Sequence, residues 1–128
     1  MNYPTTPTAP DPTAPGRTPF NTATSIDLQA LVASLGVIGD EWRADRAERQ
    51  DRTSLDAADF DRLAAAGFLA AAAPTDQGGG IQELPAATRP LAEGLRGLAG
   101  GDPSVALVAA MHPSVLGYWL ATPDGGRA

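Results

Sequence analysis

One imidazole, no thiol and a stretch of arginines interleaved with acids make up the reactive groups of this chain. The imidazole, His112, lies in the apolar run from Val105 to Leu120 and is followed directly by Pro113. Histidine changes protonation near neutral pH, so at this position it could work as a general acid or base. The plainer role is an interior imidazole satisfied by a backbone carbonyl, for instance one that Pro113 frees. On the sequence alone the plainer role is preferred, and Met111 and Trp119 read first as packing residues too. Asp102 stands where a helix cap is needed, just before Pro103, and Ser104 has no base nearby in sequence to activate it.

Other chemistries fall away quickly. A single histidine without cysteine leaves no ligand set for zinc, and no carboxylates stand at a recognisable calcium-loop spacing. Gly78-Gly79-Gly80 carries neither the Gly-Lys-Ser/Thr ending nor the GxGxxG frame of a phosphate cradle, so it reads as a turn. The arginines between Arg43 and Arg52 alternate with acids, the pattern of a solvated helix held by Asp45–Arg49 and Glu48–Arg52 pairs. A net charge of −6 gives no clustered positive surface for nucleic acid.

The elements that must position these residues are helices. Alanine and leucine dominate, whereas aromatic and β-branched residues are few, which predicts an all-α fold with about four main helices. Residues 1–24 hold six prolines among threonines and read as a disordered Pro/Thr-rich tail without the features of a secretory signal. A first helix is predicted from Thr24 or Ser25 to about Gln50, with Thr24 and Asp27 as a capping box. Its apolar stripe is Leu28, Leu31, Val32, Leu35, Ile38 and Trp42.

A second helix is predicted from a Ser54 cap to Ala66, stopped by Gly67. Phe68 to Pro74 then reads as a short buried extended segment, and Thr75 to Gly80 as a flexible turn. A third helix, about Pro85 to Leu98, carries Leu84, Thr88, Leu91, Leu95 and Leu98 on one side and is disturbed by Pro90. Gly100-Gly101 should break it before a final helix that begins at Asp102-Pro103. In that helix Val105, Val108, His112, Val115 and Trp119 are predicted to share a face. Pro103 to Ala121 is close to the length of a membrane span. However, Ser104, His112, Pro113, Ser114 and Gly117 interrupt it, so the preferred reading is a buried helix of a larger protein, with a tail anchor as the lesser alternative. The expected location is cytoplasmic, with no membrane partner.

These pieces have a telling order. An amphipathic helix ends in the charged run Glu41 to Arg52, and Leu63-Ala64-Ala65-Ala66-Gly67-Phe68-Leu69 follows. Pro74 and Gly78-Gly79 come next, then Gly101-Asp102-Pro103-Ser104-Val105-Ala106-Leu107 leading to His112. This order resembles the N-terminal helical domain of the acyl-CoA dehydrogenase family, over roughly Ile26 to Thr122. The resemblance implies a domain at residues 25–122, with 123–128 as the truncated start of a middle domain that is not present.

It also implies a flavin-dependent oxidoreductase that binds FAD mostly through its later domains, acts on acyl-CoA or a similar apolar substrate, and forms a homo-oligomer when complete. The last helix would then form one wall of the substrate and flavin pocket, with Met111, His112, Val115, Leu116 and Trp119 as its candidates. No catalytic residue is expected in this chain apart from His112 as an outside candidate. By itself the chain should be inactive, retain no FAD, and expose an apolar patch along Val105 to Leu120 that favours self-association. Two alternatives stand beside this reading. One is the same domain from a flavin-dependent monooxygenase of the superfamily, where a histidine on this helix can face the flavin. The other is a non-catalytic helical interaction module.

Overall fold

Among residues 25–122, which the computed structural model describes, the chain is all-α, with six helices and no strand. Helix α1 spans Leu28–Ala44 and buries Leu31, Leu35, Ile38 and Trp42, the core of the predicted stripe. Its cap is Asp27 itself, whose carboxylate accepts from the amides of Gln29 (2.9 Å) and Ala30 (3.3 Å). Thr24, the expected cap, lies outside the described residues. The helix also ends sooner than expected. At Asp45 the bonding tightens, with the Asp45 amide donating to Trp42 O, and a separate α2 follows at Arg46–Asp51.

Helix α3 spans Ala57–Ala65 and is capped by Asp56, whose side chain accepts from the Ala58 amide at 3.0 Å. Ser54, the predicted cap, is exposed in the linker before it. Gly67 stops this stretch as predicted, in the left-handed conformation (φ +93°) that an L side chain rarely adopts. The predicted extended segment is instead a short helix, α4, at Phe68–Ala71. Four alanines after Phe68-Leu69 favour helical turns over extended chain, and the Ala71 amide finds the Gly67 carbonyl at 3.0 Å.

The turn after α4 is not loose either. A 3-10 turn at Thr75–Gln77 is fastened by Gly79 N to Pro74 O and by Thr75 N to Ile81 O. Gly80 N donates to Ala71 O, and Ile26 N donates to Gly79 O, which ties the loop to the chain before α1. A Cβ on Gly79 would overlap the Ala73 carbonyl, so glycine there allows a close backbone approach.

Helix α5 spans Leu84–Gly101 and continues through Pro90 and both glycines that were predicted to break it. The glycines are contacts rather than breaks. A Cβ on Gly101 would overlap Gly39 O and press on Trp42, and one on Gly39 would overlap Gly97 O. Helices α1 and α5 therefore cross with their backbones nearly touching, and theirs is the most extensive helix pairing in the fold.

Helix α6 spans Pro103–Ala121 and runs on through Pro113, while the Ser114 hydroxyl donates to Ala110 O at 2.7 Å. It buries Val105, Ala106 and Ala109 against the core. The predicted common face is split: Val108, Val115 and Trp119 are exposed, whereas Val105 is buried and His112 turns partly inward. A helix apolar on all sides carries no periodic signal to say which side packs.

The main core joins Leu31, Leu35, Ile38 and Trp42 of α1 to Leu63, Phe68, Leu98 and Val105 from the other helices. A smaller cluster of Ala72, Ile81 and Ala87 packs against Leu84, Leu116 and Leu120. Each fully buried leucine contributes about 1.5–3 kcal/mol.

The crossing makes two glycines unequal. Gly39→Ala is expected to destabilise the fold by about 1–3 kcal/mol through overpacking. Gly97→Ala, whose Cβ would sit 3.5 Å from Gly36 Cα, should be near neutral. Chemical denaturation of the two variants checks the contrast.

Candidate functional site

Arg49 is the most heavily partnered side chain of the fold. The Leu31–Leu35–Ile38–Trp42 stripe points Arg49, seven residues beyond Trp42, toward the interior even across the break at Asp45. Its guanidinium lies 4.4 Å from the centre of the Trp42 ring. It grips Asp59 of α3 with a fork, Nη2 to Oδ1 at 2.9 Å and Nη1 to Oδ2 at 3.0 Å. Nη1 also donates to Asp102 Oδ2 at 3.1 Å, and Arg52 Nη1 adds a 3.3 Å bond to Asp59. The other oxygen of Asp102 accepts from the amides of Ser104 and Val105, capping α6.

All three members of this cluster are buried, with side-chain exposures of 8–9 %. The Asp59 hydrogen bonds, aided by Asp102, raise the Arg49 pKa above the ordinary arginine range and outweigh the opposing effect of burial. The predicted solvated Asp45–Arg49 pair is thus replaced by an interior clamp. The predicted Glu48–Arg52 pair is present at 3.3 Å. A polar cleft of about 170 Å³ opens beside the clamp, between Thr53, Asp56 and Ser104. Its carboxylates are committed to arginine or to helix amides, so neither Asp59 nor Asp102 is placed to move a proton for a substrate.

His112 makes the kind of contact that the plainer of its two roles requires. Its Nε2 stands 2.8 Å from the Leu69 carbonyl, which can only accept, so the ring donates there. The carbonyl belongs to α4, not to the turn beside Pro113, and the bond ties α4 to α6. Leu116, one turn on, packs with the smaller core cluster. Met111 and Val115 are each 60 % exposed, and Trp119 is 49 % exposed. The five candidate pocket residues therefore differ in burial, His112 and Leu116 partly covered and Met111, Val115 and Trp119 exposed.

A groove that sequence reasoning missed lies beside them. It is an apolar channel of about 320 Å³ between α5 and α6, walled by Ile81, Leu84, Leu91, Leu95, Pro113 and Tyr118. Its signal was the Leu84–Leu91–Leu95 side of α5, which is only half-buried. The clamp had a fainter one in Arg49's sevenfold spacing from Trp42.

No family model, curated protein or solved structure matches this chain. Among the described residues no group of acids and histidine is arranged to hold a metal ion. Helix α6 is the one described helix long and apolar enough to cross a membrane, judged by length and composition.

Arg49→Met strands two buried carboxylates and is expected to cost about 3–5 kcal/mol. Adding Asp59→Asn should recover part of that loss. A raised arginine pKa contributes stability that is complete at every pH below the ordinary arginine value and disappears only as pH rises through the raised one. The gap between wild-type and Arg49→Met denaturation midpoints should therefore stay constant from about pH 7 to about pH 10.

Proposed function

We propose that this chain is the N-terminal helical domain of an acyl-CoA dehydrogenase-like flavoenzyme, in which α6 supplies one wall of the substrate pocket. One observation carries the reading: a helix without a charged side chain leaves its outer face exposed beside an apolar groove. Leu107, Met111, Val115 and Tyr118 are each at least 60 % exposed on that face. Such a surface is suited to an acyl chain and to the protein that encloses it.

The sequence landmarks of the resemblance also stand at structural junctions. Gly67 turns the chain from α3 into α4, Gly79 closes the loop after Pro74, and Asp102-Pro103-Ser104 starts α6. The reaction of the complete enzyme would be α,β-dehydrogenation of a thioester, with this domain shaping the pocket.

The α5–α6 groove is not lined for FAD. Arg43, Arg49, Arg52, Arg62 and Arg89 each face a carboxylate, and the walls of the α5–α6 groove carry no basic side chain for a diphosphate. In this reading the flavin belongs to later domains, and the chain carries no step of the reaction. The tie between His112 and Leu69 favours dehydrogenation over monooxygenation, because Nε2 is engaged on α4 and the ring is held against it.

Expression of the chain joined to the coding region that follows Ala128, in whichever frame continues it, tests the reading. The expected product is yellow and reduces an artificial electron acceptor when given an acyl-CoA. The 128-residue chain alone should be colourless. A following region that encodes no β-domain, or a joined product that stays colourless, would overturn the proposal.

A further inference from the structure

We propose that two copies of this chain pair through the outer face of α6, antiparallel, about a two-fold axis level with residue 113. Leu107, Val108, Met111, Val115 and Tyr118 are 69, 46, 60, 60 and 80 % exposed. At 100° per residue they fall within a sector of about 100°. No side chain from Pro103 to Ala121 carries a formal charge, although the chain as a whole is at −6. Two copies carry like net charge, and this face can be desolvated without burying a charge.

The spacing within the face points to a helical seam. Val108, Met111, Val115 and Tyr118 follow at steps of three, four and three, the alternation that keeps a seam on one side of a helix. In an antiparallel pair centred on residue 113, Val108 stands level with Tyr118 of the partner subunit, and Met111 stands level with Val115 of the partner subunit. Each small side chain meets a larger one, and the pattern is its own complement, as a two-fold interface requires.

The area suffices. These exposures leave roughly 600 Å² per copy, and a pair buries about 1,200 Å², the lower end of specific interfaces. A bilayer surface is the poorer occupant, since interfacial helices hold lipid headgroups with Lys or Arg and α6 has neither. The proposal concerns the free chain: in the flavoenzyme reading later domains cover the same face, and failure of the pairing would leave that reading untouched.

Sedimentation of the full chain over a dilution series tests it. The expected mass rises from the 13.1 kDa of one chain to twice that value in the micromolar range. Met111→Glu should hold the mass at one chain throughout, with an unchanged helical circular dichroism spectrum. The chain has no cysteine, so orientation can be read by oxidation. A mixture of Met111→Cys and Val115→Cys variants should cross-link faster than either variant alone. A one-chain mass at every concentration, or a dimer indifferent to Met111→Glu, would overturn the proposal. So would fastest cross-linking of Met111→Cys with itself, or a monomer that floats with neutral phosphatidylcholine vesicles.

Discussion

The buried guanidinium of Arg49 is the interaction on which the arrangement of this fold depends. It draws together α2, α3 and the residue just before α6. Asp102 answers to two demands at once, holding Arg49 with one oxygen and the first turn of α6 with the other. Breaking the clamp therefore loosens a helix cap and exposes two carboxylates to an interior that cannot solvate them. The clamp is a device for position more than for stability, since a buried ion pair returns little beyond the cost of its own desolvation.

That position has a steric precondition. Asp102 can reach Arg49 because α5 ends hard against α1, and it does so because Gly39 and Gly101 leave no Cβ between the two backbones. Gly101 also lets the chain pass beside Trp42, the ring on which the guanidinium rests. The glycine crossing, the indole and the ion cluster thus form one connected unit. Its product is the direction of α6: Val105 and Ala109 to the core, His112 to α4, and an uncharged surface outward. Both proposed roles, in an enzyme and in a pair of chains, use that surface.

Local chemistry made part of this legible in advance. The Asp102-Pro103 start, the Gly67 stop and the Leu31-to-Trp42 stripe depend on near neighbours, and each stands where its residues imply. What escaped depends on distant ones. Arg49 looked solvated because its real partners are 10 and 53 residues away, while an exposed acid at Asp45 stood at helical spacing. Gly100-Gly101 carried the composition of a break, and only the approach of α1 turns it into a contact. The facing of α6 could not be read at all, because a helix apolar all round leaves the choice to its neighbours. For that reason the sequence places Met111, His112, Val115, Leu116 and Trp119 together, although Met111, Val115 and Trp119 are exposed and His112 and Leu116 are partly covered.

Arginine side-chain NMR reads the clamp most directly. With its fork held by Asp59 and Asp102, Arg49 should give separate, slowly exchanging Nη signals at a pH where solvated guanidinium groups are averaged. Those signals should collapse in Asp59→Asn. A spectrum in which every arginine is averaged, or one unchanged by Asp59→Asn, would contradict the account.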